Sequence, residues 1–314
     1  MTTPVNVDNF VRAETARYFD AILELGVGVN EWVHFREPSP VENQTVIRMN
    51  RDTLYSSALV DISEGATVTL PDAASRYMTM MVVNEDHFIN RVFDEPGSYE
   101  LTMGEHGTPF VLLALRTFID PSEPSDIANV NALQDAVNLE AKSARPYVHP
   151  DYEGESLDST RDALLKVAEG LPDTEGMFGK KVDVDPLRHV LGAAVGWGGL
   201  PETEAFYYLE TEPRSVGRYT MTFKNVPVDG FWSVTIYNRD GYLEENPYNA
   251  YSLNNLTAVA DDDGTVTLNL AGDGEGLTNH LYVMDGWNYA LRLYKPHEAV
   301  LNKTWTPPEP EPVS

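Results

Sequence analysis

The spacing of apolar side chains changes period along the chain, and the changes divide it. Over residues 8–25, Val11, Tyr18, Ile22 and Leu25 recur at threes, fours and sevens, with Arg12, Glu14, Arg17, Asp20 and Glu24 between them. That spacing predicts an amphipathic helix with Asp8 as its cap and Gly26 as its stop. From Gln44 the rhythm shortens to β-type runs at 45–48, 55–62, 67–70, 77–83, 98–102 and 110–118, punctuated by Gly65, Pro71-Asp72, Pro96-Gly97 and Gly107-Thr108-Pro109. Short strands with turn chemistry between them predict an antiparallel sandwich or jelly roll, with no nucleotide-binding βαβ rhythm.

The middle of the chain reads as helical. Ser125 precedes Ile127, Val130, Leu133 and Val137 at helical spacing, and Ser159 with Asp162 opens a second run through Leu164, Leu165 and Ala168 to Gly170. Asp185-Pro186 starts a third helix, since Pro suits the first helical position, with Leu187, Val190, Leu191 and Ala194 as its buried stripe until Gly196. Strands return at 219–223, 231–237, 265–270 and 289–294, and the Pro-rich tail from Thr306 predicts an extended, polyproline-like chain. The expected plan is mainly β with a helical connector: an N-terminal helix (1–29), a first β domain (30–120), the connector (121–204) and a second β domain with its tail (205–314).

Composition narrows the partners. Against 22 Lys and Arg stand 49 Asp and Glu, a net charge of −27. A folded chain of this size exposes roughly 13,000 Å², which places about one uncompensated negative charge on every 500 Å². Phosphate backbones and anionic lipids reward clustered Lys and Arg, so neither nucleic acid nor a membrane is expected as partner. The closest approach to a basic patch, Lys180-Lys181, is followed by Asp183 and Asp185. With no cysteine there is no disulfide, thiolate nucleophile or sulfur-ligated metal centre. The first residues lack a basic region followed by an apolar one, and no apolar run approaches the ~20 residues of a membrane span. These features predict an acidic, cytoplasmic protein; a small-molecule ligand and a second copy of the chain, as a homo-oligomer, are the expected partners.

Three sequence features carry candidate chemistry. In Arg48-x-Asn50-Arg51-Asp52-x-x-Tyr55, residues two apart share a face of an extended chain, so Arg48, Asn50 and Asp52 can project together while Arg51 points opposite. A guanidinium, an amide and a carboxylate on one face suit a carboxylate or polyol, with Asp52 as a base; the same set can instead tie a strand end to its neighbour. Glu85-Asp86-His87 follows a strand, and carboxylates beside His87 favour its cation, an acid near neutral pH. The seven His residues (34, 87, 106, 149, 189, 280, 297) never fall at metal-ligand spacing, so no metal or other cofactor is predicted, and His189 reads as a packed helix residue. Among the aromatics of the second β domain, Trp232 and Tyr294 read as core, while Trp287, in a Gly-Trp-Asn turn, can equally stack on a ligand.

Other motifs fall away. Aligning Gly264 with the sixth position of a calcium loop puts Val259 and Leu270 where carboxylates are required, so Asp261-Asp-Asp-Gly264 is a tight turn. Gly196-Trp-Gly-Gly199 follows a helix and lacks phosphate-loop spacing; it reads as a helix stop with Trp197 packed. Neither a nucleophile elbow nor a nucleotide phosphate loop is present.

Five segments, Arg48-Met-Asn-Arg-Asp-Thr-Leu-Tyr-Ser56, Gly196-Trp-Gly-Gly-Leu-Pro-Glu202, Phe231-Trp-Ser-Val-Thr-Ile-Tyr-Asn238, Gly286-Trp-Asn-Tyr-Ala-Leu-Arg-Leu-Tyr-Lys-Pro296 and Trp305, occur in one order. In this order the chain resembles bacterial proteins that pair domain of unknown function 1254 with domain of unknown function 1214. The resemblance covers nearly the whole chain and implies two jelly-roll-like antiparallel β-sandwich domains, without a reaction. Where the family usually reads Asn-Cys-Leu-Pro, this chain has Asn279-His280-Leu281-Tyr282, so no role of that Cys carries over. Two functions are expected as alternatives. One is a cofactor-independent hydrolase or lyase on a small polar metabolite or carbohydrate, with Asp52 and His87 catalytic and Arg48, Asn50, Arg51, Tyr55 and Trp287 binding substrate. The other is a non-catalytic ligand-binding or oligomeric assembly protein.

Overall fold

Alternating apolar positions need a second sheet to cover them, and the computed structural model, which describes residues 2–42, 44, 47–171 and 173–313, supplies one in each of two compact units. Unit one comprises Met1–Arg36, Leu54–Ile119 and Pro124–Pro201; unit two comprises Glu37–Thr53, Asp120–Glu123 and Glu202–Ser314. Residues 37–53, which the sequence assigns to the first β domain, therefore group with unit two, and the expected connector helices group with unit one.

In unit one, chain order runs α1 (Phe10–Leu23), β1 (Val33–His34), β2 (Thr53–Asp61), β3 (Ala66–Leu70), β4 (Met78–Asn84), β5 (Ile89–Phe93), β6 (Gly97–Leu101), α2 (Met103–His106), β7 (Phe110–Phe118), α3 (Pro124–Asp135), β8 (Asn138–Ala141), α4 (Gly154–Ala168) and α5 (Pro186–Gly196). One sheet is ordered β1-β2-β7-β4-β5, the other β6-β3-β8. Val60, Val82 and Leu113 of the first and Val68, Leu70 and Leu101 of the second share one buried core. Every residue of β4 is buried, as expected of a central strand covered on both faces. A separate apolar cluster joins Phe10 and Ala13 of α1 to Leu157 and Leu164 of α4 and Leu191 of α5.

Unit two contains β9 (Ala205–Arg214), β10 (Tyr219–Phe223), β11 (Trp232–Tyr237), β12 (Ser252–Asn254), β13 (Val266–Ala271), β14 (His280–Tyr282), β15 (Trp287–Tyr294), α6 (Glu298–Leu301) and β16 (Glu311–Pro312). Its sheets are ordered β14-β13-β10-β16 and β12-β11-β15-β9; among the described residues of these sheets only β13 and β14 pair in parallel. Met221, Phe223 and Leu268 share a core with Trp232, Val234 and Leu291. The protein is thus mainly β, with two sandwich-like units. Among the described residues no helix is long and apolar enough to cross a membrane.

Local signals and observed elements differ in instructive places. Asp185 caps α5 as expected, accepting from Leu187 and Arg188 N–H at 2.9 and 3.0 Å with Pro186 at the first position. Asp8 does not cap α1, whose N-cap is Asn9. Helix α4 begins five residues before Ser159, whose hydroxyl donates to the Ser156 carbonyl inside the helix. Leu187 is 63% exposed, and the buried face of α5 is instead His189, Leu191, Gly192 and Ala193. The turn at Gly264 is present, with Gly264 N–H on Asp261 O at 2.9 Å. The strand expected over 45–48 falls partly outside the described residues; Ile47 and Arg48 form a turn.

Candidate functional site

The richest polar network lies in unit two. Asp52 is 2% exposed; its two oxygens accept from Ser233 Oγ at 2.6 Å and Ser252 Oγ at 3.0 Å. Ser233 and Ser252 stand on neighbouring strands β11 and β12, so the carboxylate staples both to the 37–53 segment. Beside it the Arg292 guanidinium, on β15, is buried and donates to Thr235 Oγ1 (2.9 Å), Tyr237 Oη (2.7 Å) and the Arg48 carbonyl (2.8 Å). Burial opposes its charge, but Tyr237, Tyr294 and Asp52 outweigh that and raise its pKa. Burial raises the Tyr237 phenol, whose hydroxyl donates to Met49 O at 2.9 Å.

Around this staple the segment is a turn, so strand alternation does not decide which side chains share a face. Arg48 sits in the left-handed region at φ 55°, held by its N–H on Gly241 O at 2.8 Å and by Arg292 on its carbonyl. Its guanidinium donates to Asn288 Oδ1 at 2.9 Å and lies 5.8 Å from the Tyr237 ring centre. Arg51 donates to the Ser39 carbonyl and lies 5.2 Å from the Tyr251 ring. Burial lowers the pKa of both guanidiniums, and Arg292 adds to the effect at Arg48. Among the described residues neither makes an ion pair with a carboxylate. Asn50 accepts from Asp52 N–H at 2.8 Å and donates to Tyr294 Oη at 3.0 Å. Trp287 is not available for stacking: it is fully buried in the unit-two core, with Nε1 on Ser215 O at 3.1 Å. Trp232 and Tyr294 are core residues, as expected.

His87 and Tyr55 belong to unit one. His87 is the apex of the turn between β4 and β5, at φ 62°. Asn84 builds that turn, its Oδ1 accepting from Asp86 and Phe88 N–H at 3.0 and 2.9 Å. The fully buried ring lies 5.2 Å from Trp197 and 5.5 Å from His189, both stacked, and its Nε2 accepts from Gly198 N–H at 2.9 Å. Glu85 and Asp86 turn to Arg12 instead, at 2.9 and 2.7 Å. Burial, with His189 adding, pushes His87 down to about 3. It is therefore a neutral imidazole rather than the cation that adjacent carboxylates predict. Tyr55 is half-buried on β2 beneath Arg116, 5.6 Å from its ring.

The sequence missed Arg292, Ser233, Ser252 and Asn288. A signal existed for Arg292, the one charge in its strand, between Leu291 and Leu293; the serines carried none. A cavity of about 450 Å³ in unit two is lined by Val216, Arg218, Asp273 and Glu275 with nearby backbone, and none of the residues singled out from the sequence lines it. Among the described residues no group of three or more His, Asp or Glu is arranged to hold a metal ion.

The crystal structure of the VPA0106 protein from Vibrio parahaemolyticus is similar over 98% of both chains, at 20% identity and a TM-score of 0.77. An uncharacterised protein from Burkholderia cenocepacia is similar over 95% of this chain and 86% of its own, at 16% identity and a TM-score of 0.52. These likenesses speak to the fold alone. No curated protein matches the chain. Residues 29–99 match the family described as protein of unknown function DUF1254, and residues 210–298 match protein of unknown function DUF1214. The chain belongs to the proteins that carry these two families in tandem, DUF1254 N-terminal and DUF1214 C-terminal.

Proposed function

We propose that the protein binds a small organic carboxylate at the 37–53 segment of unit two, as a ligand-binding protein rather than a catalyst. The observation that carries the reading is the pair Arg48 and Arg51. They are two half-buried guanidiniums without an ion-paired carboxylate among the described residues, in a chain with 49 acidic side chains. A buried or half-buried cation normally acquires an anionic partner, and a guanidinium fork matches a carboxylate in two hydrogen bonds. Buried Arg292 adds a third positive charge, and Arg48 is held in a backbone region that non-glycine residues adopt at a cost, a condition concentrated at ligand-binding sites.

Binding is favoured over catalysis by the engagement of Asp52. Both its oxygens accept from serine hydroxyls in the interior of the unit, which leaves it a staple rather than a free base. Calorimetric titration of the full chain with mono- and dicarboxylates and their neutral amides tests the reading. Carboxylates are expected to bind and amides not to, and Arg48→Ala and Arg51→Ala are each expected to weaken binding at least about tenfold, the loss of one charge-assisted contact. Lys224→Ala, at an exposed pair with Asp263, is expected to bind as the parent does. Equal binding of amides, or full binding by the Arg48 variant, overturns the proposal.

A further inference from the structure

Two turns of unit two carry opposite charge into one cavity. The stretch that leads from β9 into β10 brings Val216 and Arg218 to it, and residues 272–275, which follow β13, bring Asp273 and Glu275. Its volume of about 450 Å³ falls within the roughly 300–1,000 Å³ of small-molecule sites.

Each wall is fixed by hydrogen bonds that leave its charge open. The Ser215 carbonyl accepts from Tyr219 Oη at 3.0 Å and from Trp287 Nε1 at 3.1 Å, and the Arg218 carbonyl accepts from Val313 N–H at 2.8 Å. Asp273 Oδ1 accepts from Tyr248 Oη at 2.9 Å and from Glu275 N–H at 3.1 Å, so Oδ2 keeps its lone pairs for a further donor. The 272–275 turn rests on an imidazole: a Cβ at Gly274 would stand 2.2 Å from His280 Nδ1, and His280 donates from Nε2 to the Ala271 carbonyl at 2.8 Å. Gly272 lets the two walls approach, since a Cβ there would stand 3.2 Å from Val216 Cγ2.

The charges of the cavity are not spent on one another. Among the described residues the Arg218 guanidinium makes no hydrogen bond or ion pair, whereas Arg214, Lys224 and Arg239 of the same unit pair with Glu210, Asp263 and Asp285. The Glu275 N–H and the Tyr248 hydroxyl hold the Asp273 pKa below the ordinary carboxylate value, with Arg218 and His280 adding in the same direction, so Asp273 is ionised at neutral pH. The hydrogen bond to Asp273 raises the Tyr248 phenol, and the Glu275 carboxylate adds to that effect, which sets both carboxylates on the same side of the cavity.

We propose that this cavity is a ligand site separate from the 37–53 segment and takes a basic α-amino acid, with its carboxylate on Arg218 and its two cationic groups on Asp273 and Glu275.

Charge balance selects the class. One positive and two negative side chains line the cavity, and a basic amino acid carries the complementary set of one negative and two positive groups. A simple carboxylate meets Arg218 but leaves two like charges facing it, and a diamine leaves the guanidinium unmatched, each of which opposes binding. The guanidinium fork matches the ligand carboxylate in two hydrogen bonds, and Val216, 54% exposed, offers apolar surface to a methylene stem. Water screens these exposed charges, so the expected dissociation constant of the parent is about 1 mM or below rather than nanomolar.

Calorimetric titration of the full chain with L-lysine, L-lysine methyl ester, cadaverine and acetate tests the site. L-lysine is expected to bind, and the ester, the diamine and acetate, each lacking part of the charge set, to bind at least about tenfold more weakly. Arg218→Gln and Glu275→Gln are each expected to weaken L-lysine binding at least about tenfold. Both side chains are exposed and make no hydrogen bond among the described residues, so both variants are expected to keep the melting temperature of the parent. Lys224→Ala is expected to bind L-lysine as the parent does. No saturable binding of L-lysine at about 10 mM, or cadaverine binding equal to that of L-lysine, overturns the proposal. L-lysine binding that survives Arg218→Gln and is lost in Arg48→Ala also overturns it, and places the amino acid at the 37–53 segment instead.

Discussion

The Asp52 carboxylate accepts the Ser233 hydroxyl at 2.6 Å although 181 positions of chain separate the two residues. Together with the Ser252 contact it fastens the 37–53 segment to strands β11 and β12. Asp52→Asn keeps the shape but replaces the carboxylate, weakening one buried and one part-buried hydrogen bond, of a kind that contributes about 1.5–3 kcal/mol when the acceptor is charged. The melting temperature is expected to fall by several degrees. An unchanged melting temperature would release Asp52 from the staple role and return it to candidacy as a base.

At His87 two effects can be separated by a pair of variants. The left-handed conformation costs a residue with a Cβ roughly 1–2 kcal/mol, and the ring compensates by stacking on Trp197 and accepting from Gly198. His87→Ala loses the ring and keeps the strain; His87→Gly loses both. Chemical denaturation is expected to rank parent above His87→Gly and His87→Gly above His87→Ala, with the two variants separated by about 1 kcal/mol. The reverse order of the two variants would remove the strain argument.

Acid lability is expected to be traceable to Asp61. Burial works against its charge, but the Arg145 side chain and N–H and the Ser63 N–H all donate to it, holding its pKa well below the usual carboxylate range. A depressed folded pKa contributes stability that is whole above about pH 4, the unfolded value, and is lost as pH falls below it. Asp61→Asn is therefore expected to be less stable than the parent at neutral pH and to converge with it under acid. Parallel denaturation midpoints at every pH would count against this.

Salt is expected to stabilise. A net charge of −27 repels itself, and raising ionic strength from about 0.01 to about 0.15 M shortens the screening length from about 30 to about 8 Å. A higher melting temperature at the upper concentration is the expected outcome; a flat response would mean that the carboxylates are compensated locally.

What could be read from the sequence was local. Asp185-Pro186 announces α5 because a cap and its helix are contiguous, and β4 announces itself by the apolar run from Met78 to Val83, broken only by Thr79. Strand β5 escapes because five residues containing Asn90 and Arg91 leave too little alternation, and β9 escapes because Glu210, Glu212 and Pro213 look like loop. Candidate residues were legible by type and not by role. Nothing near Asp52 in sequence points to Ser233 or Ser252, and the carboxylates beside His87 suggest a cation that their turn toward Arg12 undoes. Trp287 looks like a turn residue until its Nε1 bond to the Ser215 carbonyl places it in the core.

The discontinuity of unit two has a consequence for how the protein is made. Residues 37–53 are made before their partners on β11, β12 and β15, and at about 5–20 residues per second Asp52 waits on the order of 10 s or more for Ser233. Strand β16 follows later still, pairing with β10 through Thr220 and Glu311. During that interval the Arg48–Asp52 segment is a stretch of nascent chain without its own fold, and unit two completes only once β16 has been made, as a late and non-local closure.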